Sequence, residues 1–309
     1  MHGNEIMDIV RFAVFTDLHY DHIHDGKMRI NNFLKDIQNT SLDFIIELGD
    51  FCYPLDKNKP LLRELQQTGV PFYCVLGNHD TDAYSREQVL NFLEMPNNYY
   101  SFIYGKIKFI VLDACYIKDE KGCKPYFKRN YDKASDYYPY LPPEEIQWLK
   151  KEFDDTNDYY VIFSHHSLVN EFASRGVFNR GEIREIINNV NNSGKHVLLC
   201  MNGHDHGDAV CKIDKTYFYT LNAMSYIWCG LREHYSYSKE IHDSYPYLKD
   251  MILYKEGFYT IVTIFGDGSF EIRGMNGHYQ NITPQELGIV DLWNGVSVAP
   301  VVSALKSGK

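Results

Sequence analysis

The chain has 309 residues, 44% of them hydrophobic and 23% charged, enough for a large core in one body or two. Its formal net charge of −10 weighs against a surface for nucleic acid or anionic membrane, since both require clustered Lys and Arg facing phosphates. An acidic body still binds a small phosphorylated molecule when metal ions supply local positive charge.

The seven cysteines are odd in number and scattered, several inside apolar runs, so buried free thiols in a reducing compartment are expected. Met1-His2-Gly3-Asn4-Glu5 lacks the basic and then apolar pattern of a leader, and no segment approaches transmembrane length. A cytoplasmic protein without a membrane partner is the expectation.

Val10 to Thr16 reads as a buried strand running into Asp17-Leu18-His19-Tyr20-Asp21, a loop too polar to continue it. Ile30, Phe33, Leu34 and Ile37 recur at helical spacing, and the apolar run Phe44 to Leu48 then ends at Gly49-Asp50. Leu61, Leu62 and Leu65 mark a second helix, Gly69 breaks it, and Pro71 to Leu76 delivers Gly77-Asn78-His79-Asp80. That last string alone reads equally well as a turn with a capping Asp. Three successive β-α units nevertheless end in Asp, His or Asn, and ligands of open α/β sheets lie beyond the carboxyl ends of strands.

Tyr99 to Tyr104 and Ile107 to Leu112 read as a hairpin turned at Gly105-Lys106. From Cys115 to Tyr140 the chain is rich in Tyr, Lys and Asp without periodicity, as in an insertion lying over a sheet edge. Pro142-Pro143-Glu144-Glu145 opens a helix, and Asp158 to Ser164 is a strand ending at His165-His166. After a helix marked by Ile183, Ile186, Ile187 and Val190, the strand Lys195 to Met201 ends at Asn202-Gly203-His204-Asp205-His206. Ala209 to Ile213, Thr216 to Leu221, Phe258 to Phe265 and Ser269 to Arg273 read as a second, largely antiparallel sheet. One body over 8–275 is expected, with Tyr-rich insertions near 115–140 and 228–250 and an extension over 276–309 that carries no signal.

Asp17, His19, Asp50, Asn78, His165, His204 and His206 combine carboxylate, amide and imidazole groups, a mixture suited to manganese, iron or zinc. They are too many for one tetrahedral ion and enough for two that share a carboxylate. A lone histidine is more often a structural hydrogen-bonding residue, and His22, His24, His196, His234, His242 and His278 are read that way.

Taken together, Asp17-Leu18-His19, Gly49-Asp50, Gly77-Asn78-His79-Asp80, His165 and Gly203-His204-Asp205-His206 resemble, in order, the motifs of the calcineurin-like metallophosphoesterases. The resemblance implies an α/β fold, a four-layer sandwich of two mixed β-sheets flanked by helices, with a dinuclear metal site at the strand ends. It implies a first metal held by Asp17, His19, Asp50 and His206, and a second held by Asp50 as bridge with Asn78, His165 and His204. His166 would stand behind the ligands or face substrate. His79 would stabilise phosphoryl oxygens or protonate the leaving alkoxide, with Asp80 orienting it and holding it charged.

The implied activity is hydrolysis of a phosphodiester, phosphomonoester or pyrophosphate bond by a hydroxide bridging two divalent metal ions. The Gly-Asn-His-Asp form is similar to the branch of bacterial phosphodiesterases and ADP-ribose diphosphatases, which favours a diester or nucleotide-derived small substrate as partner. Tyr-rich segments 126–140 and 235–247 read either as platforms for a base or sugar or as ordinary surface aromatics. Arg175, Arg180 and Arg184 read either as ligands of a distal phosphate or as solvated helix charges. The reading from another class is a non-catalytic scaffold, and the retention of every expected ligand together with His79 argues against it.

Overall fold

A computed structural model describes residues 9–230 and 232–308. The N-terminal Met1-His2-Gly3-Asn4-Glu5, residue 8 at the expected domain start, residue 231 inside the 228–250 insertion and residue 309 lie outside the described residues.

Two six-stranded sheets face each other. The first runs in the order Leu305–Lys306, Phe270–Ile272, Thr260–Ile264, Val10–Phe15, Phe44–Glu47 and Phe72–Cys74, the last three parallel and the other pairings antiparallel. The second runs Ala209–Ile213, Thr216–Thr220, His196–Asn202, Tyr159–Ser164, Ile107–Leu112 and Tyr100–Tyr104, with the four inner strands parallel and both edges antiparallel.

Alternation along each strand divides the core. Phe12 and Val14 point between the sheets and pack with Phe44, Ile46, Phe109, Val111 and Phe163, whereas Ala13 and Phe15 point outward. The helices Gly26–Ile37 and Lys59–Gln66 cover that outward face with Ile30, Phe33, Ile37, Leu61 and Leu65. On the far side, Ile110, Leu112 and Ile162 meet Ile146, Leu149, Ile183 and Ile187 of the helices Pro143–Glu152 and Arg180–Asn192. Strands buried on both faces need continuous apolar runs, which is what these segments carry. The result is the expected layering of helix, sheet, sheet and helix.

The separate antiparallel sheet expected after Met201 does not form. Ala209–Ile213 and Thr216–Thr220 extend the second mixed sheet, while Thr260–Ile264 and Phe270–Ile272 extend the first. Period-two alternation marks a strand without specifying the edge it joins. Residues of the tail return to the body, Val301–Val302 pairing with Met275–Asn276 and Leu305–Lys306 with Phe270–Ile272. The seven cysteines are unpaired, although Cys211 is exposed and Cys123 half-buried, against the expectation of buried thiols. Among the described residues no helix is long and apolar enough to cross a membrane.

Register decides where the site lies. Phe15 is opposite Glu47 and Glu47 opposite Cys74 in the first sheet; Leu112 is opposite Ser164 and Ser164 opposite Asn202 in the second. The polar segments that follow these residues leave both sheets at one shared edge.

Candidate metal centre

At that edge the backbone turns sharply. Asp17, His19, Asp50, His204 and His206 have φ of 52°, 47°, 63°, 66° and 53°. Asp and His tolerate this left-handed region better than most side chains do, and its concentration at strand ends is characteristic of functional sites. Space is equally constrained. A Cβ on Gly77 would fall 2.2 Å from Asp50 Oδ1, so this glycine gives room to the carboxylate.

Asp17, His19 and His206 form one group and Asp50, His165 and His204 a second, the ligand atoms of each lying within 4.8 Å of one another. Asn78 Oδ1 lies 3.2 Å from His165 Nε2 and joins the second group. Asp50 Oδ2 lies 3.6 Å from His19 Nε2 and 3.2 Å from His165 Nε2, so one oxygen faces both groups. All seven sequence-predicted ligand residues therefore converge.

The donors are arranged for cations. Asp17 Oδ2 accepts hydrogen bonds from Thr16 Oγ1 at 2.6 Å and from the His204 amide at 2.9 Å, and Asp50 Oδ1 accepts from the His79 amide at 2.8 Å. The second oxygens, Asp17 Oδ1 and Asp50 Oδ2, are buried beside imidazole nitrogens alone, His206 Nε2 at 3.1 Å and His165 Nε2 at 3.2 Å, and neither receives a well-aligned hydrogen bond. Backbone carbonyls fix three imidazoles: His165 Nδ1 lies 2.8 Å from Leu48 O, His206 Nδ1 2.8 Å from Tyr226 O, and His204 Nε2 2.9 Å from Ser174 O. A carbonyl only accepts, so each of these nitrogens donates, and whenever the ring is neutral the opposite nitrogen carries the lone pair. His19 Nε2 and His206 Nε2 stand 3.2 Å apart, facing each other beside Asp17. Orphaned carboxylate oxygens among converging lone pairs fit divalent cations.

Burial moves the protonation equilibria. It lowers His19 to about 4 and depresses His204 well below its usual range, leaving both neutral. Burial raises Asp17, but His206 and His19 outweigh it and hold the carboxyl well below the ordinary value. Burial lowers His165 while the Asp50 charge overrides it, lifting His165 to about 10 in the metal-free chain, so that proton has to leave before the imidazole can ligate.

His79 stands beside the first group, its ring 5.3 Å from that of His19 and its side chain 32% exposed. The expected partnership with Asp80 does not occur. Asp80 accepts backbone N–H bonds from Gly77 at 2.8 Å and from Asp50 and Phe51 at 3.2 Å, tying two strand ends together. Asp82 instead lies 2.5 Å from His79 Nδ1. The segment His79–Thr81 is a 3₁₀ turn, in which residues three apart eclipse, so His79 meets Asp82 while Asp80 points inward.

His166 is fully buried, packed 4.3 Å from the His204 ring, with Nε2 3.3 Å from the Tyr138 hydroxyl. Arg175 donates to the His204 carbonyl at 3.0 Å and Arg180 to the Val177 carbonyl at 3.3 Å. Asp82, Tyr226 and the pair His22–Tyr53 were not legible as site residues. An Asp three residues after His79, His22 three after His19 and Tyr53 three after Asp50 were usable signals, whereas Tyr226 lies 20 residues beyond His206. His22 Nε2 is 2.8 Å from the Tyr53 hydroxyl, and both line the cavity with His19, Asp50 and His79.

Residues 10–208 match the family described as calcineurin-like phosphoesterase. The chain belongs to that family and is a metal-dependent hydrolase of phosphate esters. It is similar to an Arabidopsis thaliana protein described as a manganese-dependent ADP-ribose/CDP-alcohol diphosphatase, 25% identical over 253 residues that span 63% of this chain and 79% of the relative. Among solved structures it is similar to a dimetal phosphatase from Danio rerio, with 14% identity, a TM-score of 0.56 and coverage of 87% of this chain and 96% of that one. It is also similar to GAP50, the anchor in the inner membrane complex of Plasmodium, with 16% identity, a TM-score of 0.54 and coverage of 89% of each chain. At these identities the structural likeness establishes the fold. The family and the paired ligand groups call for two divalent cations.

Proposed function

We propose that the chain hydrolyses a phosphodiester or pyrophosphate bond in a small, nucleotide-derived substrate. The observation that carries this reading is the pair of ligand groups sharing Asp50 Oδ2, with carboxylate oxygens that receive no well-aligned hydrogen bond aimed into one crevice. Asp17, His19, Asp50 and His206 would hold one cation; Asp50, Asn78, His165 and His204 would hold the other. Among manganese, iron and zinc, the dependence in the plant relative's description favours manganese. When bound, the cations clamp phosphoryl oxygens and lower the pKa of water.

The chain's own residues supply the rest. His79, at the mouth, donates a hydrogen bond to the phosphoryl group or a proton to the leaving oxygen. Asp80 holds the strand ends in register rather than acting on substrate. His22 lies 5.3 Å ring to ring from Tyr247 and Tyr53 lies 5.4 Å from Tyr84, a set of rings beside the crevice suited to a planar base. This wall and the plant relative's described activity support the nucleotide-derived class.

The test is a matrix of manganese, iron and zinc against ADP-ribose, CDP-alcohols, cyclic nucleotides, glycerophosphodiesters, bis(4-nitrophenyl) phosphate and simple monoesters. Turnover is expected highest on the nucleotide diphosphate derivatives with manganese. A preference for simple monoesters overturns the substrate class, and no cleavage by metal-loaded protein would favour the scaffold.

A further inference from the structure

His79 is the end of a chain of contacts that begins in the Tyr-rich insertion. Asp82 Oδ2 lies 2.5 Å from His79 Nδ1, and Asp82 Oδ1 accepts a hydrogen bond from the Tyr126 hydroxyl at 2.8 Å. Tyr126 is 3% exposed, and its ring stacks at 4.9 Å on Tyr138, which stacks at 4.6 Å on Tyr131. Thr81, in the same turn as His79, donates to the Tyr126 carbonyl at 3.4 Å. The insertion thus holds this turn through both a side chain and the backbone.

A carboxylate that accepts the Nδ1–H hydrogen bond of an imidazole fixes the ring's rotation and presents Nε2 outward. With only one oxygen engaged, that carboxylate could rotate away. Here the other oxygen is held by a buried hydroxyl whose ring is clamped in a stack, so the imidazole is pre-oriented before substrate arrives.

We infer that Asp82 and Tyr126 are positioning residues for the hydrolysis: Tyr126 holds Asp82, Asp82 fixes His79, and the 115–140 insertion thereby sets how well the site cleaves esters with poor leaving groups. This rests on reading His79 as the proton donor to the leaving oxygen. In that step water oxygen forms the new P–O bond, the bond to the leaving oxygen breaks with its electron pair on that oxygen, and the oxygen takes the Nε2 proton while the water proton passes to solvent. Nothing is oxidised or reduced. A basic leaving oxygen needs that proton, whereas nitrophenolate departs without it.

The experiment uses the full manganese-loaded chain and aryl phosphodiesters whose leaving phenol ranges from 4-nitrophenol to unsubstituted phenol. Tyr126→Phe, Asp82→Asn and His79→Ala are compared with the unaltered chain for kcat, bound metal and melting temperature. Asp82→Asn is expected to lower kcat on the phenyl ester by roughly a hundredfold and Tyr126→Phe by roughly tenfold, with the nitrophenyl ester within about threefold and metal content unchanged. Equal losses on both esters, no loss, or loss of metal in Asp82→Asn overturns the positioning role. If Tyr126→Phe fails to fold, Asp82→Asn still decides. If His79→Ala itself shows no leaving-group dependence, the reading of His79 fails instead. A selective loss in His79→Ala that neither Asp82→Asn nor Tyr126→Phe shares overturns the inference alone.

Discussion

Asp50 is the side chain on which most of the site depends, since Oδ2 faces both ligand groups while Oδ1 anchors the turn carrying His79. Asp50→Ala is expected to lose both metals and activity, whereas His79→Ala keeps the metals and loses roughly 10²–10⁴ in turnover on poor leaving groups. Metal content per chain beside kcat separates the two, and equal metal loss in both contradicts the assignment. Gly77→Ala should weaken manganese binding at least about tenfold, because its Cβ would fall 2.2 Å from Asp50 Oδ1; calorimetric titration showing unchanged affinity would refute that. Glu145 tests the buried carboxyls. It accepts the Asp113 amide through Oε1 at 2.7 Å, has no partner at Oε2, and burial, reinforced by the Asp113 charge, pushes its carboxyl well above the usual range. The unfolded chain releases this proton near the ordinary value, so the contribution to stability is full below that value and is lost as pH rises toward the folded one. Glu145→Gln should therefore gain stability relative to the unaltered chain progressively as pH rises above the ordinary carboxyl value, read from urea unfolding at each pH; a pH-independent difference counts against a neutral Glu145. The converging residues were legible because they follow the ends of apolar strands. The contact of His79 with Asp82 was not, because adjacency in the motif favours Asp80, whereas the 3₁₀ turn brings residues three apart together.

At the scale of elements, the strands and helices read from periodicity all form, and the hairpin at Gly105-Lys106 pairs as expected. What periodicity could not give was partnership, since Thr260–Ile264 adds to Val10–Phe15 across most of the chain's length. Pairing of that kind is set by which buried faces match. Phe12 shows the matching: it stacks on Phe44 at 4.6 Å and meets Phe109 and Phe163 edge-on at 5.4 and 5.8 Å across the two sheets. Phe12→Ala is expected to cost about 3–5 kcal/mol in denaturant unfolding. A loss below about 1 kcal/mol would mean that the intersheet core closes around the gap.

Across the whole molecule, each ligand group draws on both sheets. Asp17 and His19 follow a strand of the first and His206 one of the second; Asp50 follows the first and His165 and His204 the second. Manganese should raise the melting temperature, by the equivalent of about 2.7 kcal/mol at a hundred times its dissociation constant, and chelator should reverse the shift. The shift should vanish in Asp50→Ala; if it persists there, the cation sits elsewhere. An ion held between Asp50 and His165 would be a removable staple. It would close a loop of roughly a hundred residues, for which a permanent cross-link would contribute about 4.7 kcal/mol by restricting the unfolded chain. Resistance to proteolysis would then follow the free metal concentration around the protein, as that of a disulfide-bonded domain follows the redox potential.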